Sequence, residues 1–152
     1  MDRKGVVHDL DAAQMGFSYR HTAVPEDWIF LSASLSASTA PAEKIAERMA
    51  EIGTARNASQ PIRNRTGGST FKNPDDAKAW ELIDAAGCRE LTVGGAMVSE
   101  KHCNFLINTG DATAEDLEKL GEEVRQRVLS HSGIDLQWEI RRIGVDASGG
   151  RP

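Results

Sequence analysis

Apolar residues recur along this chain at two spacings. Ile45, Met49 and Ile52 fall at helical intervals, and the spacing predicts a helix from Ala40 to Ile52. Thr39 stands where its N-cap belongs, Pro41 in its first turn and Gly53 at its end. Pro74-Asp-Asp-Ala opens a second helical pattern, with Ala79, Leu82, Ile83 and Ala86 on one face and Gly87 as its stop. Thr113-Ala-Glu-Asp is a capping-box signature before a third helix, whose stripe is Leu117, Leu120, Val124 and Val128 and whose end is Gly133. Strand signals fill the gaps. Leu91–Val98 and Asn104–Asn108 are β-rich, and from Ile134 the pattern alternates: Ile134, Leu136, Trp138 and Ile140 on one side, Asp135, Gln137, Glu139 and Arg141 on the other. Residues 54–73 carry no periodicity and read as a long loop. Residues 39–144 thus predict a small α+β domain with helices on one face of a short sheet.

The first 38 residues differ. Lys4–Leu10 holds a short apolar stretch and Trp28–Leu35 a β-rich run opened by Pro25, with no helical pattern between. Strands this few cannot form an independent sheet. Residues 145–152 are rich in glycine and read as a disordered tail.

Composition narrows the class. Apolar side chains make up 39% of the 152 residues, enough for a core. The net charge of −5 argues against a general nucleic-acid binder. There is no apolar run of membrane-spanning length and no signal-peptide pattern at Met1. Cys88 and Cys103 form no CxxC or metal-ligand spacing, so they read as free thiols in a reducing cytosol and no metal is expected.

Several residues could carry chemistry. From Arg56 to Lys72 the loop holds four cationic residues and no acid, and within it Arg65-Thr-Gly-Gly-Ser-Thr-Phe could cradle an anion on backbone N–H groups. An ordinary Gly-Gly turn explains it equally well. It is neither a phosphate-binding P-loop nor a nucleophile elbow around Ser69. Glu139 lies between Trp138 and Ile140, where shielding from water would raise its pKa; pairing with Arg141 on an exposed face is the plainer alternative. His21 and His102 are isolated histidines, and Arg20 sits in a turn-like patch where it could bind an anion or a carbonyl.

Together these segments carry a pattern that none carries alone. Gly68-Ser-Thr-Phe-Lys-Asn-Pro74, then Ala79–Gly87, then Gly94-Gly-Ala-Met-Val-Ser-Glu-Lys-His-Cys-Asn-Phe-Leu-Ile-Asn108, then Glu139-Ile-Arg-Arg-Ile-Gly144 resemble the UDP-N-acetylenolpyruvoylglucosamine reductase family. Phe17-Ser-Tyr-Arg-His-Thr22 resembles the motif near the end of that family's flavin domain. The resemblance extends to about residue 144, with its motifs in the family's order. It implies a peptidoglycan-precursor oxidoreductase of the cytoplasm, with non-covalent FAD reduced by NADPH. The flavin passes hydride to C3 of the enolpyruvyl ether of UDP-N-acetylglucosamine, giving UDP-N-acetylmuramate. Ser69 matches the family's general acid, which protonates C2. Arg20 and Glu139 match the pair that polarises the substrate carboxylate and holds the developing enolate. Asn73 and His102 match substrate-contacting positions. Tyr19 is the only tyrosine, so the resemblance is to the subtype without an additional tyrosine-bearing loop.

One departure bears on all of this. The family's chain is about twice as long, in keeping with a multidomain enzyme, and its glycine-rich FAD-pyrophosphate segment has no counterpart here. Residues 1–38 are therefore expected to be the closing strands of an incomplete FAD-binding domain, and residues 39–144 the substrate-binding domain. The expected ligand is UDP-N-acetylglucosamine enolpyruvate, and the expected partner a separate N-terminal flavin-domain half, with no role for nucleic acid or membrane. The isolated chain is expected to be inactive. The alternatives are a UDP-sugar-binding module without flavin chemistry and an inactive remnant.

Overall fold

The structure, a computed structural model, describes residues 1–144; the tail assigned to 145–152 lies outside the described residues. The chain divides into two compact units, Met1–Pro41 and a second beginning at Ala42. In the second unit the order is α1 (Ala42–Ser59), β1 (Arg65–Ser69), α2 (Ala79–Ala85), β2 (Thr92–Val93), β3 (Ala96–Val98), β4 (Phe105–Asn108) and α3 (Ala114–Ser132). The four strands form one antiparallel sheet in the order β1-β4-β3-β2. This is the α+β architecture that the periodicity predicts.

The best-defined element, α3, is also the one with the most complete local signals. Thr113 Oγ1 accepts from the N–H of Asp116, and Asp116 Oδ2 accepts from the N–H of Thr113, which closes the capping box. Those bonds hold the Asp116 carboxyl below the usual carboxylate range. Leu120, Val124 and Val128 are fully buried, Leu117 packs at the margin of the core, and Gly133 ends the helix in the left-handed conformation. With Phe71, Ile83, Val98, Leu106 and Leu136 they form a single apolar cluster between α3, α2 and the sheet.

Four expectations are corrected. First, Gly53 does not stop α1, which runs on to Ser59. Gly53 avoids the left-handed conformation a stop requires, and the helix formers Ala55 and Ala58 follow it. Thr39 lies outside this helix, and Ile45, Met49 and Ile52 are exposed rather than buried. Second, residues 54–73 are not one loop, since α1 takes the first of them, to Ser59, and β1 takes Arg65–Ser69. Third, α2 begins at Ala79, not Pro74. Pro74 sits in a turn, where its carbonyl accepts from Ala77, and Asn73 Oδ1 reaches forward to accept from the N–H of Ala79 at 3.0 Å. Fourth, the described residues of the first unit contain no strand ladder, only a bridge between Ser18 and His21. Ile29, Phe30, Leu31 and Leu35 of the expected run are all exposed, because a β-rich sequence becomes a strand only beside a partner.

The alternating segment after α3 keeps its pattern without becoming a regular strand. Leu136 is buried, Trp138 and Ile140 are half-buried, and Asp135 and Gln137 are exposed. Its pairing is a single antiparallel bridge between Trp138 and Phe71.

Candidate active site

The glycine pair Gly67-Gly68 forms an irregularity in β1 rather than a free turn. The register with β4 shifts between Thr66 and Ser69, and Gly68 takes φ +91°, a conformation that favours glycine. The bulge turns the strand just before Ser69, which is half-buried. Beyond it the backbone is gripped on both sides. On one side the N–H of Thr70 donates to Asn104 O at 2.8 Å. On the other, the N–H of Glu139 donates to Thr70 O at 2.8 Å and the N–H of Lys72 donates to Gln137 O at 2.8 Å. Phe71 therefore faces Trp138 directly, with ring centroids 4.9 Å apart.

This pairing bears on two of the expected catalytic residues. Glu139, half-buried, lies opposite Thr70 and so one residue from Ser69 on the neighbouring segment. The Thr70 hydroxyl is fully buried and has no hydrogen-bond partner among the described residues. Arg20 belongs to the first unit, where its guanidinium lies 5.3 Å from the Tyr19 ring centroid and its backbone takes φ +56°. That φ is uncommon for a non-glycine residue and follows from the tight Ser18–His21 turn.

Asn73 and His102 both lie near the start of α2. Asn73 caps the start of α2 one residue before Trp80, and the Trp80 ring centroid lies 6.1 Å from that of His102. The imidazole also packs edge-on against Phe105 at 4.8 Å, and its Nδ1 accepts from the N–H of Asn104 at 3.3 Å. Burial, with the nearby Arg89 cation, pushes the His102 pKa below its ordinary value. Arg89 is held by both carboxylate oxygens of Asp84, at 2.8 and 2.7 Å, and by the Glu100 carbonyl. The buried Cys103 thiol beside this pair is pushed up to about 11, mainly by burial.

Cationic and amide groups collect at the end of α1. A shallow cavity of about 510 Å³ is lined by Asn57, Gln60, Arg63, Asn64 and Lys101, among others. Lys101 Nζ donates to Asn57 O at 2.8 Å and so ties the last turn of α1 to the β3–β4 connection. Of the basic residues in the 56–72 stretch, only Arg63 lines this cavity; Arg65 points its guanidinium at the Gly110 carbonyl.

Asn104 belongs to the third motif but has no role there, and the structure assigns it one. Its side chain is buried, accepts from the N–H of Phe71 at 2.9 Å and donates to Phe71 O at 2.8 Å. The signal in the sequence is a polar side chain at the head of the apolar Phe105-Leu-Ile strand. Among the described residues no group of three or more His, Cys, Asp or Glu could hold a metal, and no helix is long and apolar enough to cross a membrane.

Comparison with known proteins gives a consistent result. Residues 60–143 match the family model described as UDP-N-acetylenolpyruvoylglucosamine reductase, C-terminal domain. The UDP-N-acetylenolpyruvoylglucosamine reductase of Paramagnetospirillum magneticum is 64% identical over 150 residues, covering 97% of this chain and 49% of its own. That of a Methylorubrum extorquens strain is 61% identical, over 97% of this chain and 48% of its own. The crystal structure of the Thermus caldophilus enzyme of that name superposes with a TM-score of 0.69 at 38% identity, over 84% of this chain and 46% of that one. The chain spans about half the length of the curated relatives it matches.

Proposed function

Because the chain belongs to the UDP-N-acetylenolpyruvoylglucosamine reductase family, we propose that it supplies the substrate-binding and proton-donating part of that reductase. The reaction is the flavin-dependent reduction of UDP-N-acetylglucosamine enolpyruvate to UDP-N-acetylmuramate, in the cytoplasm. The observation that supports this reading is the antiparallel pairing of residues 70–72 with 137–139, in which Glu139 lies opposite Thr70, the residue after Ser69.

In this reading Ser69 Oγ donates the proton that C2 of the reduced enolpyruvyl group takes up. A serine hydroxyl is a weak acid in water and can serve only when held against a strongly basic carbon. Two-sided anchoring of the Ser69–Lys72 backbone provides that fixed position. Glu139 and Arg20 orient the substrate carboxylate, and fixed charges of this kind need no reorganisation as charge develops. Asn73, at the start of α2, and His102, near the Trp80 ring, are substrate contacts. The amide- and lysine-lined cavity at the end of α1 suits a nucleoside diphosphate.

FAD supplies hydride chemistry in this family, with NADPH as its reductant. The residues described here do not by themselves fit a flavin. Among the described residues, the first unit has no helix whose N-terminus could receive a pyrophosphate and no strand ladder to carry one. In this reading the flavin site lies in an N-terminal half of the kind the relatives' length leaves room for, and turnover requires that half.

The test is to mix the chain with a flavin-bearing N-terminal half of a relative, FAD and NADPH. The expected result is NADPH oxidation that depends on UDP-N-acetylglucosamine enolpyruvate, and a loss of about 10²–10⁴-fold in turnover for Ser69→Ala with binding retained. Calorimetric binding of that substrate with no turnover in the mixture would favour a UDP-sugar-binding module instead. Neither binding nor turnover would identify an inactive remnant.

A further inference from the structure

A single bridge to Phe71 is little to fix the register of the segment that carries Glu139. In an extended segment a slip of one residue moves every side chain to the opposite face, so something else must hold it. The structure shows what does. The indole N–H of Trp138 donates to Glu122 Oε1 on α3 at 3.0 Å. The other oxygen of Glu122 is held by Arg125 at 2.7 Å, and Arg125 reaches the same segment twice, donating to Leu136 O at 2.8 Å and to Asp135 at 2.6 Å. Arg142 lies over the indole at 5.0 Å from its ring centroid and 3.8 Å from Glu122. The indole has a built seat, because a Cβ on Gly121 would stand 2.0 Å from its Cη2 atom.

We propose that Glu122 is a positioning residue: by locking the Trp138 indole against α3 it sets the register in which Glu139 lies opposite Thr70 and next to Ser69. A one-residue slip would withdraw the indole from the Gly121 seat, break its bond to Glu122 and carry Leu136 out of the core. The lock thus couples the face of α3 to the placement of a carboxyl that α3 does not bear. The proposal rests on the reading of Glu139 as a substrate-orienting group, and its test separates the two.

Amide hydrogen exchange on the full chain reads the register directly. Glu122→Ala should speed exchange of the Glu139 and Lys72 amides by about tenfold while leaving Val98, on the far strand β3, unchanged. Trp138→Phe, which keeps the ring and loses the N–H, should do the same in part. Glu122→Gln keeps an acceptor for the indole and should restore most of the protection, a rescue that general loosening of the domain would not show. Unchanged Glu139 exchange in both Glu122→Ala and Trp138→Phe overturns the proposal. In the mixture with the flavin-bearing half, Glu122→Ala should lower kcat with KM within about twofold of the parent. Full turnover in Glu122→Ala, where Glu139→Gln has lost it, also overturns the proposal. Full turnover in Glu139→Gln overturns the reading of Glu139 instead, and the exchange data then decide whether the lock itself exists.

Discussion

Asn104 holds the backbone of Phe71 through both its polar groups, taking one hydrogen bond and giving another inside the core. Asn104→Ala leaves a buried N–H and a buried carbonyl of Phe71 unpaired, at roughly 1–3 kcal/mol for each such group and less where the site relaxes. A loss of about 2–4 kcal/mol in urea unfolding is therefore expected; a change under about 1 kcal/mol would show that water replaces the amide. The local sequence shows only a polar residue at the head of an apolar strand; it does not show the partner, which lies 33 residues away along the chain. Cys103 is a second residue whose behaviour comes from its surroundings. Its thiol, raised to about 11 and nearly fully buried, stays protonated through neutral pH. In a Cys88→Ser background, iodoacetamide at pH 8.5 should modify it more than about tenfold slower in the folded chain than in urea. Equal rates would place the thiol at the surface. The unfolded chain releases this proton first, so stability falls as pH rises from the ordinary value of 9.0 toward about 11.

Among the elements, α3 and α1 show how far periodicity carries. In α3 the capping box, the apolar stripe and the terminal glycine all agree, and the helix forms at Ala114–Ser132 with that stripe inward. In α1 the spacing of Ile45, Met49 and Ile52 gives the helix but not its burial, because among the described residues no apolar surface of the second unit buries that stripe. Its length exceeds the expected one for a related reason: an exposed glycine in a helix costs only about 1 kcal/mol, less than several good helix formers on either side can offset. Gly53 has an ordinary φ and open space where a Cβ would stand. Gly53→Ala should accordingly stabilise the last turns of α1 by about 0.5–1 kcal/mol, seen as slower amide exchange over residues 54–59. Faster exchange would mean that the glycine serves a bend. Part of the sheet is legible as apolar runs: Asn104–Asn108 holds β4, and Leu91–Val98 holds β2 and β3 in one run; β1 is not legible, since a Gly-Gly pair looks the same in a turn and in an irregular strand.

At the scale of the whole molecule, the two units differ in how much of themselves they bury. Among the described residues of Met1–Pro41 only Val24 reaches the interior, with Phe17, Ile29, Phe30 and Leu31 exposed, whereas the second unit closes around one core. The fold class of the second unit could be inferred from pattern, and candidate site residues came from motifs that span the same stretch. What pattern could not supply is the set of long-range contacts that fix the segments carrying these residues: Asn104 on Phe71, Lys101 on the end of α1, and Glu122 on Trp138. Each joins elements distant in sequence, where neither propensity nor spacing carries information. The bridge between Phe71 and Trp138 has a consequence for the order of assembly. It is a contact of high sequence separation, so the loop-closure entropy it requires is repaid only once the intervening strands and α3 are in place. Synthesis from the N-terminus makes Ser69 early and Glu139 late. Leu136 and Trp138 belong to or pack on that core, so the core should close only when this late segment docks, with the pairing of residues 137–139 expected among the last steps of folding.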